Sequence, residues 1–213
     1  MAPDRALPAA PVRFTPEVTA AEAAWALGAL AALPVRPRRH GPLPPFDRAA
    51  IKARWDTMPT IGIDTKDAVL AGWLDHAEYE ANGFTVRSGV LTQDPYTGAR
   101  VEYLNGQDPE RRTIDVDHVV SLRDAWESGA RRWSPKGSNW MRFYNWRAGL
   151  IPTARATNRA KADHNAADWL PHNTAADYRP RFATLQIQTK TRFHLSVTPA
   201  ELAALRAALH PRA

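Results

Sequence analysis

The stretch Pro34-Val-Arg-Pro-Arg-Arg-His-Gly-Pro-Leu-Pro-Pro45 constrains the fold more than any other segment. Each proline fixes φ and removes a backbone donor, and the residue before it is pushed out of the helical region. No helix or central strand can therefore run through this segment. The chain reads as two unequal parts, an N-terminal region over 1–45 and a globular domain over 46–213. The first part opens with a Pro- and Ala-rich arm over 1–14. A helix is expected from about Pro16 to Leu33, where Val18, Ala21, Trp25, Ala29 and Leu33 recur at helical spacing. The basic, proline-stiffened linker then follows.

Beyond residue 46 the apolar periodicity switches repeatedly between helix and strand. Helices are expected over 46–55, 65–77, 122–129, 154–161, 178–193 and 199–209. The last opens with Thr198-Pro199-Ala-Glu201, a cap followed by proline and an early acid. Strands are expected over 84–91 and 99–104, joined by the turn Asp94-Pro-Tyr-Thr-Gly98, then over 114–120 and briefly at 150–151. This mixture defines an α+β fold. With 213 residues, 44% of them hydrophobic, the chain can bury a sizeable core, and several of its 8 Trp anchor it.

Charge and cysteine usage narrow the function. A net charge of +6 favours a polyanionic partner, because each neutralised phosphate releases counterions. The absence of cysteine excludes a disulfide framework, a thiolate zinc site and a cysteine nucleophile. The segment Ala20 to Leu33 carries Glu22 and lacks a lysine-rich start, so it reads as an amphipathic helix rather than a signal peptide. No run reaches the length of a membrane span. Together these features give the expectation of a cytoplasmic protein with no membrane partner.

The chemistry concentrates in Thr113-Ile-Asp-Val-Asp117-His118-Val-Val120 and Thr157-Asn158-Arg159-Ala-Lys161. Asp117 offers a charged oxygen to a hard cation and Asn158 an amide oxygen. Mg²⁺ or Mn²⁺ keeps several waters, so two protein oxygens suffice. His118 can take a proton near neutrality. Side chains alternate along a strand, so Asp117 and His118 share a direction only where the strand ends or bends. Lys161 shares the helical face of Asn158 at i+3 and is the candidate for the scissile phosphate, with Arg159 on a flanking one. Arg131 and Arg132, with Lys136, form a second basic group that either grips a backbone or is a solvated surface. Asp115, two residues before Asp117, is a second metal ligand or an orienting group. His164 and His172 lack the soft partners that a zinc site needs.

The run Asp117-His-Val-Val-Ser-Leu-Arg-Asp-Ala-Trp126-Glu-Ser-Gly-Ala130 resembles the first half of the HNH (His-Me finger) endonucleases, in particular the C-terminal nuclease domain of GmrSD-type proteins. The likeness continues through Arg142-Phe-Tyr-Asn145, Thr157-Asn158-Arg-Ala-Lys161-Ala-Asp163 and Ala167-Asp-Trp-Leu-Pro171. Upstream it includes Phe46-Asp-Arg48, Asp64-Thr-Lys-Asp67 and Gly89-Val-Leu-Thr-Gln-Asp-Pro-Tyr-Thr-Gly98. It spans roughly residues 46 to 205. The resemblance implies a ββα-metal nuclease core surrounded by helices, with His118 as general base, Asp117 and Asn158 as metal ligands, and DNA cleaved to a 5′ phosphate and a 3′ hydroxyl. The pattern's middle Asn is Gly149 here, so Asn145 is the candidate for supporting the intervening loop. Two other readings stay open: a catalytically weak or inactive nucleic-acid-binding module of the same fold, and a ribonuclease or toxin-like effector.

Overall fold

A computed structural model describes residues 15–36, 45–51, 53–58, 62–106, 112–134, 137–173 and 175–210. The arm over 1–14, most of the linker and Lys136 lie outside the described residues. The fold is α+β.

Helix α1 (Ala20–Ala32) is fixed at its start by a capping box in which Thr19 and Glu22 exchange side-chain and backbone bonds. The short α2 (Arg48–Ile51) and then α3 (Thr65–Trp73) follow. Asp64 caps α3 by accepting from the Asp67 amide at 2.7 Å. The first sheet is antiparallel, in the order β1 (Asp75–Tyr79), β2 (Val86–Leu91), β3 (Val101–Leu104). The second pairs β4 (Ile114–His118) with β5 (Leu150–Ala154), also antiparallel, so that Asp117 lies opposite Ile151 and His118 opposite Leu150. Between these two strands the chain makes α4 (Leu122–Glu127) and α5 (Ser138–Tyr144). Helix α6 (Arg155–Lys161) begins immediately after β5, and α7 (Arg179–Arg192) and α8 (Pro199–Leu209) close the fold.

Helix α7 is the wall shared by two hydrophobic cores. Phe182 and Leu185 face the larger one, with Trp140, Phe143, Leu150 and Ile151, while Ala183 and Ile187 face the smaller one. The smaller core draws Ala26, Leu30 and Leu33 from α1 and Leu205 and Leu209 from α8. Beyond α1, Val35 bridges Val197 and Arg36 donates to Ser128. The boundary expected at residue 46 therefore separates no independent body, because one core spans it.

Several expectations are corrected. The helix expected over 65–77 stops at Trp73, and Asp75–Tyr79 is a strand paired with β2. His76 adopts a left-handed φ of 53° at this junction, where a helix could not continue. The helix expected over 46–55 is only the single turn of α2 among the described residues. The strand over 114–120 ends at His118, and the short strand at 150–151 extends to Ala154. Helix α5 was not anticipated.

Candidate functional site

An open cleft of about 430 Å³ lies along β4, flanked by α6 and by the segment around Trp55. Both faces of β4 contribute. Asp115 and Asp117, two residues apart, meet Asn158 and Lys161, three apart on α6. Residues two apart share one face of a strand and residues three apart one face of a helix, so each pair presents a single surface to the other. Asn158 Nδ2 donates to Asp115 Oδ2 at 3.2 Å, and Lys161 Nζ donates to Asp117 Oδ1 at 3.0 Å.

Asp117 is fully committed within the fold. Tyr96 donates its hydroxyl to Asp117 Oδ2 at 2.6 Å, and Lys161 Nζ stands 3.0 Å from that same oxygen. Burial pushes the Asp117 carboxyl up, while the Lys161 ammonium and the Tyr96 hydroxyl pull it back. Tyr96 is itself raised well above the usual tyrosine range, by burial and then by the Asp117 charge. Lys161 is 1% exposed and also donates to the His118 carbonyl at 3.0 Å. The sequence reading that put Lys161 on the scissile phosphate is corrected: its ammonium is spent inside the protein. Asp117 is likewise no open ligand, because a cation there would have to displace a buried ammonium. Asp117 touches the cleft wall with an 8%-exposed side chain, and the more open oxygen pair there is Asp115 and Asn158. The Asp115 side chain is 23% exposed, with Arg112 at 4.0 Å.

His118 stands at the end of β4, where the strand gives way and its ring need not alternate with its neighbours. Its Nε2 is 2.9 Å from the Tyr144 carbonyl oxygen. A carbonyl only accepts, so Nε2 carries the proton and Nδ1 keeps the lone pair. The ring lies nearly parallel to Trp55, at 5.7 Å and 5°, and to Phe143, at 5.9 Å and 8°. Burial holds the imidazole down to about 4; the Tyr144 bond opposes this, and the charges of Lys161 and Arg48 add to it. The ring is therefore neutral near pH 7, the state a base requires.

Asn145 holds this arrangement from behind. Its Oδ1 accepts from the Asp56 amide at 2.7 Å and its Nδ2 donates to the Arg54 and Met141 carbonyls, at 3.0 Å each. These bonds clamp the segment carrying Trp55 to the end of α5. Gly149 leaves no room for a side chain: an added Cβ would lie 2.9 Å from the Trp146 ring and 3.3 Å from Thr189 Oγ1.

The cleft's cations are Arg48, Lys66, Arg112 and Arg159. Of these only Arg159 was singled out from sequence. Arg48 and Lys66 sit in Phe46-Asp-Arg48 and Asp64-Thr-Lys-Asp67, and Tyr96 in the Asp94–Gly98 turn, blocks that share in the resemblance but carry no role by it. Arg131 and Arg132 line a different depression, with Arg36 and His194. Among the described residues no group of three or more His, Cys, Asp or Glu is arranged to hold a metal.

The chain is 30% identical over 203 residues to an "Uncharacterized secreted protein" of Arthroderma benhamiae (strain ATCC MYA-4681 / CBS 112371), covering 94% of this chain and 90% of that protein. This chain belongs to the family of that secreted protein. The membership overturns the cytoplasmic expectation. That expectation leaned on the absence of cysteine, but a fold carried by two hydrophobic cores needs no disulfide in an oxidising medium. No protein-family profile matches the chain, and no solved structure matches it.

Proposed function

We propose that this member of the secreted family is a metal-dependent endonuclease that hydrolyses DNA phosphodiester bonds, acts outside the cell and uses His118 as its base. The observation that carries the reading is the His118 ring: Nε2 is tied to a carbonyl, Nδ1 keeps its lone pair, and the ring is neutral at the edge of a cation-lined cleft. A water beside Nδ1 would lose its proton as it attacks phosphorus in line with the leaving 3′ oxygen. Arg48, Lys66, Arg112 and Arg159 would bind the phosphates on either side. Lys161 and Asp117 act on the strand, since one ammonium joins the Asp117 carboxylate to the His118 carbonyl and fixes the backbone from which the ring projects.

Asp115 and Asn158 would hold the ion. Both are hard oxygen donors, and the Asn158 bond to Asp115 through Nδ2 leaves Oδ1 as the remaining donor of that amide. One carboxylate and one carboxamide suit Mg²⁺ or Mn²⁺, which complete their shells with water and phosphate. When bound, the ion neutralises charge on the phosphate and the departing oxygen. The succession β4, β5, α6 agrees with the ββα-metal core that the resemblance implies.

Supercoiled plasmid incubated with Mg²⁺ tests the reading. Wild type should nick it and His118→Ala should leave it intact, while both bind DNA alike. Nicking by the variant at the wild-type rate would remove His118 from the chemistry. Structured RNA in a parallel reaction identifies the substrate class.

A further inference from the structure

We propose that the depression lined by Arg36, Glu127, Ser128, Arg131, Arg132 and His194 is a second anion site, which takes a backbone phosphate of the nucleic acid held in the cleft. This deepens the nuclease reading and rests on it. The depression has a volume of about 370 Å³, ample for a phosphodiester group.

Its charge balance singles out one residue. Asp124 is 3.7 Å from Arg36 and 2.8 Å from Lys190, and Lys190 is 2.7 Å from Glu201, so two cations answer two carboxylates. Glu127 is paired with Arg123 at 3.1 Å. Arg132 is exposed and, among the described residues, has no acidic partner. Its neighbour Arg131 gives an N–H to the Glu127 carbonyl at 2.9 Å, which orients its guanidinium.

The backbone pre-arranges this group. Gly129 has a φ of 139°, so the chain folds back and brings Arg132 over it: a Cβ added there would lie 3.2 Å from Arg132 Nη2 and 4.0 Å from the His194 carbonyl. Helix α4 joins the depression to the cleft. Ser121 and Leu122 line the cleft at its start, and Glu127 and Ser128 line the depression at its end. Six helical residues rise roughly 9 Å, about three base steps of duplex DNA. One nucleic-acid strand would, on this proposal, run past both ends of this helix.

The test is fluorescence anisotropy of a duplex oligonucleotide across a salt series in EDTA, where no cleavage occurs. Arg132→Glu should weaken binding and lower the slope of log affinity against log salt by about one, the amount for one lost phosphate contact. Arg132→Lys should restore most of the slope. Arg100→Glu makes the same charge change at an exposed site lining neither cavity, and should leave the slope alone. An unchanged slope in Arg132→Glu, or an equal loss in Arg100→Glu, would overturn the proposal. So would Arg132-dependent calorimetric binding of inorganic phosphate without any effect on DNA, which would make this a site for the free anion. Because binding is read without turnover, a protein that never nicks plasmid would sink the nuclease reading and leave the salt slopes to judge this site.

Discussion

Two aspartates that differ by two positions have separate duties. Asp117 is enclosed by Tyr96 and Lys161, whereas Asp115 is the more exposed of the two in the cleft and lies beside Asn158. Replacing Asp117 by Asn would leave a 1%-exposed ammonium without its counter-charge, a change that destabilises by about 3–5 kcal/mol. Urea denaturation should register that loss. Asp115→Asn should barely shift the urea midpoint, yet it should raise the Mg²⁺ concentration needed for plasmid nicking. If Asp117→Asn shifted the metal requirement and Asp115→Asn did not, the ligand assignment would reverse. Gly149 gives a further residue-scale prediction. Gly149→Asn, which supplies the middle Asn of the HNH pattern that the sequence resembles, pushes Cβ to 2.9 Å from Trp146 and should destabilise by about 1–3 kcal/mol.

Elements were legible where local chemistry alone sets them. Helix α8 runs over Pro199–Leu209 as expected, because the Thr198 and Glu201 capping box starts it without help from elsewhere. Thr198→Ala should cost about 1 kcal/mol, readable as a lowered thermal midpoint. Strand β1 was hidden: Asp75-His-Ala-Glu-Tyr79 has no β-branched residue, and its pairing with β2 overrides its weak local preference. Helix α5 was hidden for a related reason. Its Trp140 and Phe143 are buried against partners distant in sequence, and it starts at Gly137 with no side-chain cap.

At the scale of the molecule, the two cores on either side of α7 make the N-terminal helix part of one body. Leu30 is fully buried, so Leu30→Ala should destabilise by roughly 2–5 kcal/mol in spite of its distance from the cleft. The pH response is also collective. The folded pKa of His118 is about 4, below its unfolded value of 6.5, so the unfolded chain takes up the proton first. This contribution is complete above pH 6.5 and is lost as pH falls toward 4. Guanidinium midpoints for wild type should drop more steeply over that window than those of His118→Gln; parallel curves would refute the shift.

Sequence by itself determined that this is an α+β chain, broken at the Pro34–Pro45 segment, with its polar chemistry gathered at Asp117-His118 and at Asn158 to Lys161. Those features follow from periodicity, proline geometry and residue type, all of which act within a few positions. Only the tertiary structure decided which aspartate stays open in the cleft, that Lys161 is an internal strut, and that α1 completes a core. Each of these depends on what a side chain meets from elsewhere in the chain. Burial beside Tyr96 and the end of β4 turns a nominal phosphate ligand into a structural ion pair, and spacing along the chain cannot report that encounter.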